Sequence, residues 1–188
     1  MKSPDQFIVK SAFNKRYNNT REIGGVDFVV SSSQEDHKFS SREAIVIETP
    51  LQYEGPIKKG DTLLVHHNVF KFYNDMYGRQ KSGKSFFKDD IFLIDNEQFF
   101  LYKQDGKWKP YDRYCFVKPI KVLNNLAIDK MCEYEPLMGI MKYPNEYLMS
   151  QGVNKEDKVS FTPDMEYEFY VDGELLYRVF DHQITLKL

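Results

Sequence analysis

The residues whose types and spacing come nearest to a known chemistry are Gly78-Arg79-Gln80-Lys81-Ser82-Gly83-Lys84-Ser85. They satisfy G-x-x-x-x-G-K-[ST], in which backbone N–H groups cradle phosphates, the lysine reaches the outer phosphates and the hydroxyl holds Mg²⁺. Ile91-Phe92-Leu93-Ile94-Asp95 resembles the strand and aspartate that accompany such a loop. That chemistry needs a helix directly after the loop, because the helix N-terminus is part of the anion site. Here Ser85 is followed by Phe86-Phe87-Lys88-Asp89-Asp90-Ile91-Phe92, a β-type run. The gap to Asp95 also leaves no room for the crossover helix of a parallel βαβ unit. The stretch reads as a basic hairpin tip, with phosphate binding at Gly78–Ser85 the lesser expectation, and no cofactor is expected.

The other reactive side chains are scattered. His66 and His67 are adjacent, so within a strand they point to opposite faces and do not share a metal. His37 and His182 have no companion at ligand spacing, and no metal site is expected. Asp89-Asp90 and Glu35-Asp36 read as solvated turns. Cys115 sits in an apolar run, where burial raises a thiol's pKa and makes it inert. It and Cys132 are the only cysteines, with no C-x-x-C, which fits a reducing compartment and leaves a single disulfide open. No nucleophile motif such as G-x-S-x-G is present. No catalytic residue is expected, and the chain does not read as an enzyme.

Composition narrows the partners. The formal net charge is −2, without the basic surplus of a dedicated nucleic-acid binder. Tyr53, Tyr73, Tyr77, Tyr102, Tyr111 and Tyr114 with nearby lysines could stack bases. Interleaved acidic residues favour an aromatic core with a salted rim instead. No apolar run approaches the length of a membrane span, and MKSPDQFIVKSAF lacks the apolar centre of a signal peptide. Cytoplasmic placement is the expectation.

The elements that position these residues read as short strands. They are residues 5–10, Arg42–Thr49 before Pro50, and Thr62–Phe70 continued by Phe72-Tyr73. Phe86–Ile94, Gln98–Tyr102 and Tyr114–Val117 follow. Lys58-Lys59-Gly60-Asp61 reads as a tight turn, and Asp105-Gly106 and Asp172-Gly173 as hairpin turns. Glu166-Tyr167-Glu168-Phe169-Tyr170 alternates, so one face is buried. Tyr143–Gln151 reads as a short helix or turn.

The strand order then repeats. Val153–Phe161 echoes Ile57–Val65, Glu166–Asp172 echoes Val69–Asp75, Leu176–Leu186 echoes Ser85–Leu93, and Phe116–Pro119 echoes Phe7–Lys10. Ile120–Tyr134 stands where the first copy has a long polar stretch, Asn14–Ser41. That stretch is too polar to offset its ordering entropy and too irregular for a helix or a paired strand. It carries one apolar island, Gly24-Gly25-Val26-Asp27-Phe28-Val29-Val30. The simpler alternative is a Gly-Gly turn followed by a short strand. The fold class expected is all-β, two tandem small barrels spanning 1–110 and 111–188.

The succession of short strand, long loop with Gly-Gly and an apolar tip, strand, Lys-Lys-Gly-Asp turn, buried strand and Asp-Asp-Ile closing strand resembles the GroES-type co-chaperonins. These are the lids of bacterial chaperonin cages, with bacteriophage-encoded relatives. The likeness is carried by Phe7–Lys10, Ile23–Val30, Ser41–Thr49, Ile57–His66 and Phe86–Ile94, and again, more loosely, by Tyr114–Leu188. It implies Greek-key β-barrels, a ring-shaped homo-oligomer, and a mobile loop at about 14–41. Through Gly24, Gly25, Val26, Phe28, Val29 and Val30 that loop would dock on a large chaperonin ring and assist protein folding. In the family three aliphatic residues follow the glycines, whereas here Asp27 interrupts them. The doubled barrel is a second departure. The alternative is a non-enzymatic structural or interaction protein, such as a virion component, using the same scaffold.

Overall fold

The computed structural model describes residues 1–12, 14–17, 20–29, 40–122, 133–164 and 167–188; within 20–29, only Gly24, Gly25 and Val26 are described beyond the backbone. Val30, Glu35, Asp36, His37, Cys132 and Glu166 lie outside the described residues or beside their edges. The fold is all-β with antiparallel pairing throughout, and the chain divides into two compact units, Met1–Lys107 and Trp108–Leu188. No helix among the described residues is long and apolar enough to cross a membrane.

Unit 1 contains β1 (Phe7–Ser11), β2 (Thr20–Ile23), β3 (Val26–Val29), β4 (Glu43–Glu48), β5 (Thr62–Val65), β6 (Phe72–Asn74), β7 (Gln80–Ser82), β8 (Phe86–Lys88), β9 (Ile91–Ile94) and β10 (Phe99–Gln104). Its main sheet runs β8-β9-β1-β4-β5-β10, with β11 (Lys107–Pro110), the strand in which the division falls, at the edge. β2-β3 and β6-β7 are separate two-stranded hairpins. Phe7, Phe70, Phe92, Phe99, Leu63, Leu64 and Ile94 are fully buried and form the core. Phe7 meets Phe99 edge-on at 5.2 Å, and Phe70 meets Phe92 at 4.8 Å, the offset geometry that aromatic quadrupoles favour.

Unit 2 contains β12 (Tyr114–Lys121), β13 (Tyr134–Tyr143), α1 (Glu146–Ser150), β14 (Lys158–Phe161), β15 (Tyr167–Val171), β16 (Glu174–Phe180) and β17 (Ile184–Lys187). Its sheet runs β15-β16-β12-β13-β14-β17. The alternation expected for β15 is present, with Phe169 and Val171 buried and Glu168 and Tyr170 exposed. Asn145 caps α1 by accepting from the Leu148 N–H at 2.9 Å.

The two sheets have the same strand order once β1, β4, β5, β8, β9 and β10 are matched with β12, β13, β14, β15, β16 and β17. The match extends to irregularities. The β1–β4 register slips between Ile8 and Val9, and the β12–β13 register slips between Phe116 and Val117. In the Lys58–Asp61 turn, Asp61 accepts the Lys58 N–H at 2.8 Å; at Asn154–Asp157, Asp157 accepts the Asn154 N–H at 2.6 Å. Gln98 accepts the Asp95 N–H at 3.0 Å through its side chain, and Gln183 does the same for Phe180 at 2.8 Å. Shared bulges and caps are not dictated by strand propensity.

The registers correct three of the four sequence echoes. Only Val153–Phe161 with Ile57–Val65 keeps its alignment. Cys115-Phe116-Val117-Lys118, shifted by one residue, matches Phe7–Lys10. Val179 matches Ile94, so β16 and β17 answer β9 and β10, and β15 answers β8. Val69–Asp75 instead leads into the β6-β7 hairpin, which has no counterpart among the described residues of unit 2. Two further readings change. The run Thr62–Phe70 is a strand only to Val65 and then turns, although Val69 and Phe70 remain fully buried. Residues 134–143 form a strand that Pro136 and Gly139 hide in the sequence.

Candidate functional site

The arm between β1 and β4 is built from its root outward. Ser11 donates its hydroxyl to the Lys15 carbonyl at 2.6 Å, and the Ser41 N–H donates to the Arg16 carbonyl at 2.8 Å. Tyr17 and Ser40 form a β-bridge that closes the loop at its base. The Tyr17 ring is buried, packs edge-on against Phe72 at 4.9 Å, and its hydroxyl accepts the Phe72 N–H at 3.4 Å. The Arg16 guanidinium donates to the Ser82 hydroxyl from two nitrogens, at 3.1 and 3.2 Å. It lies 4.8 Å from the Phe86 ring and 4.9 Å from that of Phe92. Desolvation lowers its pKa, opposed by Asp90 and Tyr17. The ring faces offset part of that cost, since a desolvated cation–π contact contributes up to about 2 kcal/mol.

Arg16 and Tyr17 thus bind the root to the β6-β7 hairpin, so the anchored chain extends to residue 17, beyond the Asn14 boundary read from the sequence. Nothing in the sequence marks these two as anchors: they sit in a polar run, and their partners Phe72 and Ser82 are far along the chain.

Beyond the root, the segment expected to be unpaired is a hairpin over Thr20–Val29. Gly24 and Gly25 have φ of +62° and +82°, the pair of left-handed residues that a two-residue turn between right-twisted strands requires. A Cβ on either glycine would meet nothing within 4 Å, and Val26 is 56% exposed. The simpler alternative, a Gly-Gly turn with a short strand, describes the backbone. The register opposes Ile23 to Val26, Arg21 to Phe28 and Glu22 to Asp27.

The remaining expected sites fall elsewhere. Gly78 lies in the turn between β6 and β7, and Ser85 is buried, its hydroxyl accepting from Gln98 Nε2 at 3.0 Å. The strand β8 follows Ser85 directly, so the glycine-lysine-serine motif lacks the helix that an anion site needs. His66 and His67 lie past the end of β5, and their rings sit 4.1 Å apart rather than on opposite faces. No three His, Cys, Asp or Glu among the described residues are placed to hold a metal ion. Asp89 and Asp90 form the β8–β9 turn, with φ of +46° and +60°. Cys115 is fully buried, and desolvation first, then Asp181, pushes its thiol far above the usual range. No protein-family model matches the chain, and no curated protein matches it.

Proposed function

We propose that this chain is a co-chaperonin-like lid: a doubled β scaffold that assembles into a ring and presents the Thr20–Val29 arm to a large chaperonin ring. The observation that carries the reading is the arm itself. Among the described residues its two strands pair only with each other, the Tyr17–Ser40 bridge closes its root, and Gly24, Gly25 and Val26 are exposed at its tip. A preformed hairpin lays into a groove with less ordering cost than an unpaired loop. Burying Val26 and Phe28 contributes at most about 1.5–3 kcal/mol each, so a single arm binds weakly. Several arms on one ring bind together through effective concentration and still release.

The test is binding of the full chain to a bacterial chaperonin with nucleotide, by pull-down with particle size from light scattering. Phe28→Asp or Val29→Asp abolishes binding while the scaffold stays folded. Retained binding by Phe28→Asp discards the reading. The second reading, an interaction protein such as a virion component, draws on the same pre-paired arm. It expects no chaperonin affinity, with residues 14–41 packed on a neighbouring subunit.

A further inference from the structure

The β6-β7 hairpin stands between β5 and β8 of unit 1, whereas in unit 2 residues 162–166 alone join β14 to β15. The sheet common to both units therefore forms without it. Its tip is nevertheless fixed. Asp75 Oδ1 accepts from the N–H groups of Tyr77 and Arg79, each at 2.9 Å, the Asp75 N–H donates to the Arg79 carbonyl at 2.9 Å, and Gly78 takes φ of +73°. This rigid turn holds Met76 88% and Tyr77 75% exposed, with the Arg79 guanidinium 5.7 Å from the Tyr77 ring. Met, Tyr and Arg are the residues enriched at interface cores, and a preformed tip loses little entropy on docking. Within residues 71–84 the sequence has Lys71, Arg79, Lys81 and Lys84 against Asp75.

Unit 2 carries the opposite surface. On its edge strand β15, Glu168 and the 69% exposed Tyr170 face outward between the buried Phe169 and Val171. The balance extends to the whole units: unit 1 has sixteen Lys and Arg against fifteen Asp and Glu, and unit 2 has ten against thirteen.

We propose that the Met76–Tyr77 tip of one copy seats on the Glu168 and Tyr170 face of edge strand β15 in a second copy. The two surfaces differ, so the contact is head-to-tail, and each copy keeps one free surface of each kind. Such a contact propagates from copy to copy and closes into a ring where the rotation permits. Ring closure rests on the lid reading above; the contact does not.

The test is sedimentation velocity of the full chain across concentration and salt, with two variants. Met76→Ser/Tyr77→Ser removes the tip, and Glu168→Lys/Tyr170→Ser removes the patch. All four residues are exposed, and hydrogen exchange at the Val46 and Met141 amides checks that both units stay folded. Each variant is expected to weaken self-association on the order of tenfold or more. An equal mixture of the two is expected to form dimers and nothing larger, because only one complementary pair of surfaces survives. A wild-type chain that stays monomeric at every concentration overturns the proposal. So does either variant assembling like wild type, or a mixture that fails to dimerise. Chaperonin binding separates the two readings: wild-type assembly by this scheme without chaperonin binding keeps the contact and discards the lid.

Discussion

Gly139 is the glycine of unit 2 with least room for a side chain, and Gly139→Ala tests how tightly its central strands are fixed. A Cβ there overlaps Val117 Cγ1 and comes within 2.7 Å of the Lys118 carbonyl oxygen. The strand cannot slide away, since Gly139 pairs with Pro119 on one side and Val159 on the other. Val117 cannot rotate away, since it is fully buried in a cluster with Cys115, Met141, Val159 and Val179. Overpacking of this kind costs about 1–3 kcal/mol, and disturbing a paired backbone adds about 0.5–1.5 kcal/mol for a weakened hydrogen bond. The sum, about 2–4 kcal/mol, is a large part of the stability of a unit this size.

The equivalent position in unit 1 holds Ala44, which is fully buried, so the register itself does not demand glycine. Hydrogen exchange gives the matched readout. The Met141 N–H donates to the Asp157 carbonyl and the Val46 N–H to that of Asp61, at 2.8 and 2.9 Å. Gly139→Ala lowers protection at Met141 about thirtyfold or more and leaves Val46 unchanged. Ala44→Gly does the reverse, losing about 1–2 kcal/mol in unit 1 from the missing methyl group and added chain entropy. Unchanged protection at Met141 in Gly139→Ala would refute the packing argument.

Other expectations follow from the same geometry. Gln98→Ala and Gln183→Ala each remove the side-chain acceptor of a backbone N–H, at Asp95 and Phe180, and each destabilises its own unit by about 0.5–1.5 kcal/mol in urea titration. Leu137 is 37% exposed with φ of +57°, which costs a side chain with a Cβ roughly 1–2 kcal/mol. Leu137→Asn therefore raises the melting temperature of unit 2, and a lower one would show that the leucine's contacts outweigh its strain. Glu174 lies 2.6 Å from both Lys118 and Lys142, and hydrogen bonds from these two hold its carboxylate below the ordinary 4.5. A depressed carboxylate pKa contributes stability above pH 4.5 that is lost as pH falls through the folded value. Glu174→Gln should flatten that acid limb, seen by following the unfolding midpoint of unit 2 with pH.

The chain's own letters determined the all-β class, the turns and one of the echoes. Asp105-Gly106, Asp172-Gly173 and Lys58–Asp61 turn as read, because a left-handed residue or a carboxylate cap is a local requirement. Strand alternation in Tyr167–Val171 was legible for the same reason: each residue's face depends only on its neighbours. The true alignment of the two copies was not legible. It is carried by a bulge, two glutamine caps and pairings between distant strands, while short apolar runs look alike at several offsets. Tertiary structure alone decided that the Thr20–Val29 arm is a paired hairpin. It also decided that Arg16 and Tyr17 are anchors. Their partners Phe72 and Ser82 come from a hairpin more than fifty residues away, and no local pattern encodes a contact at that separation.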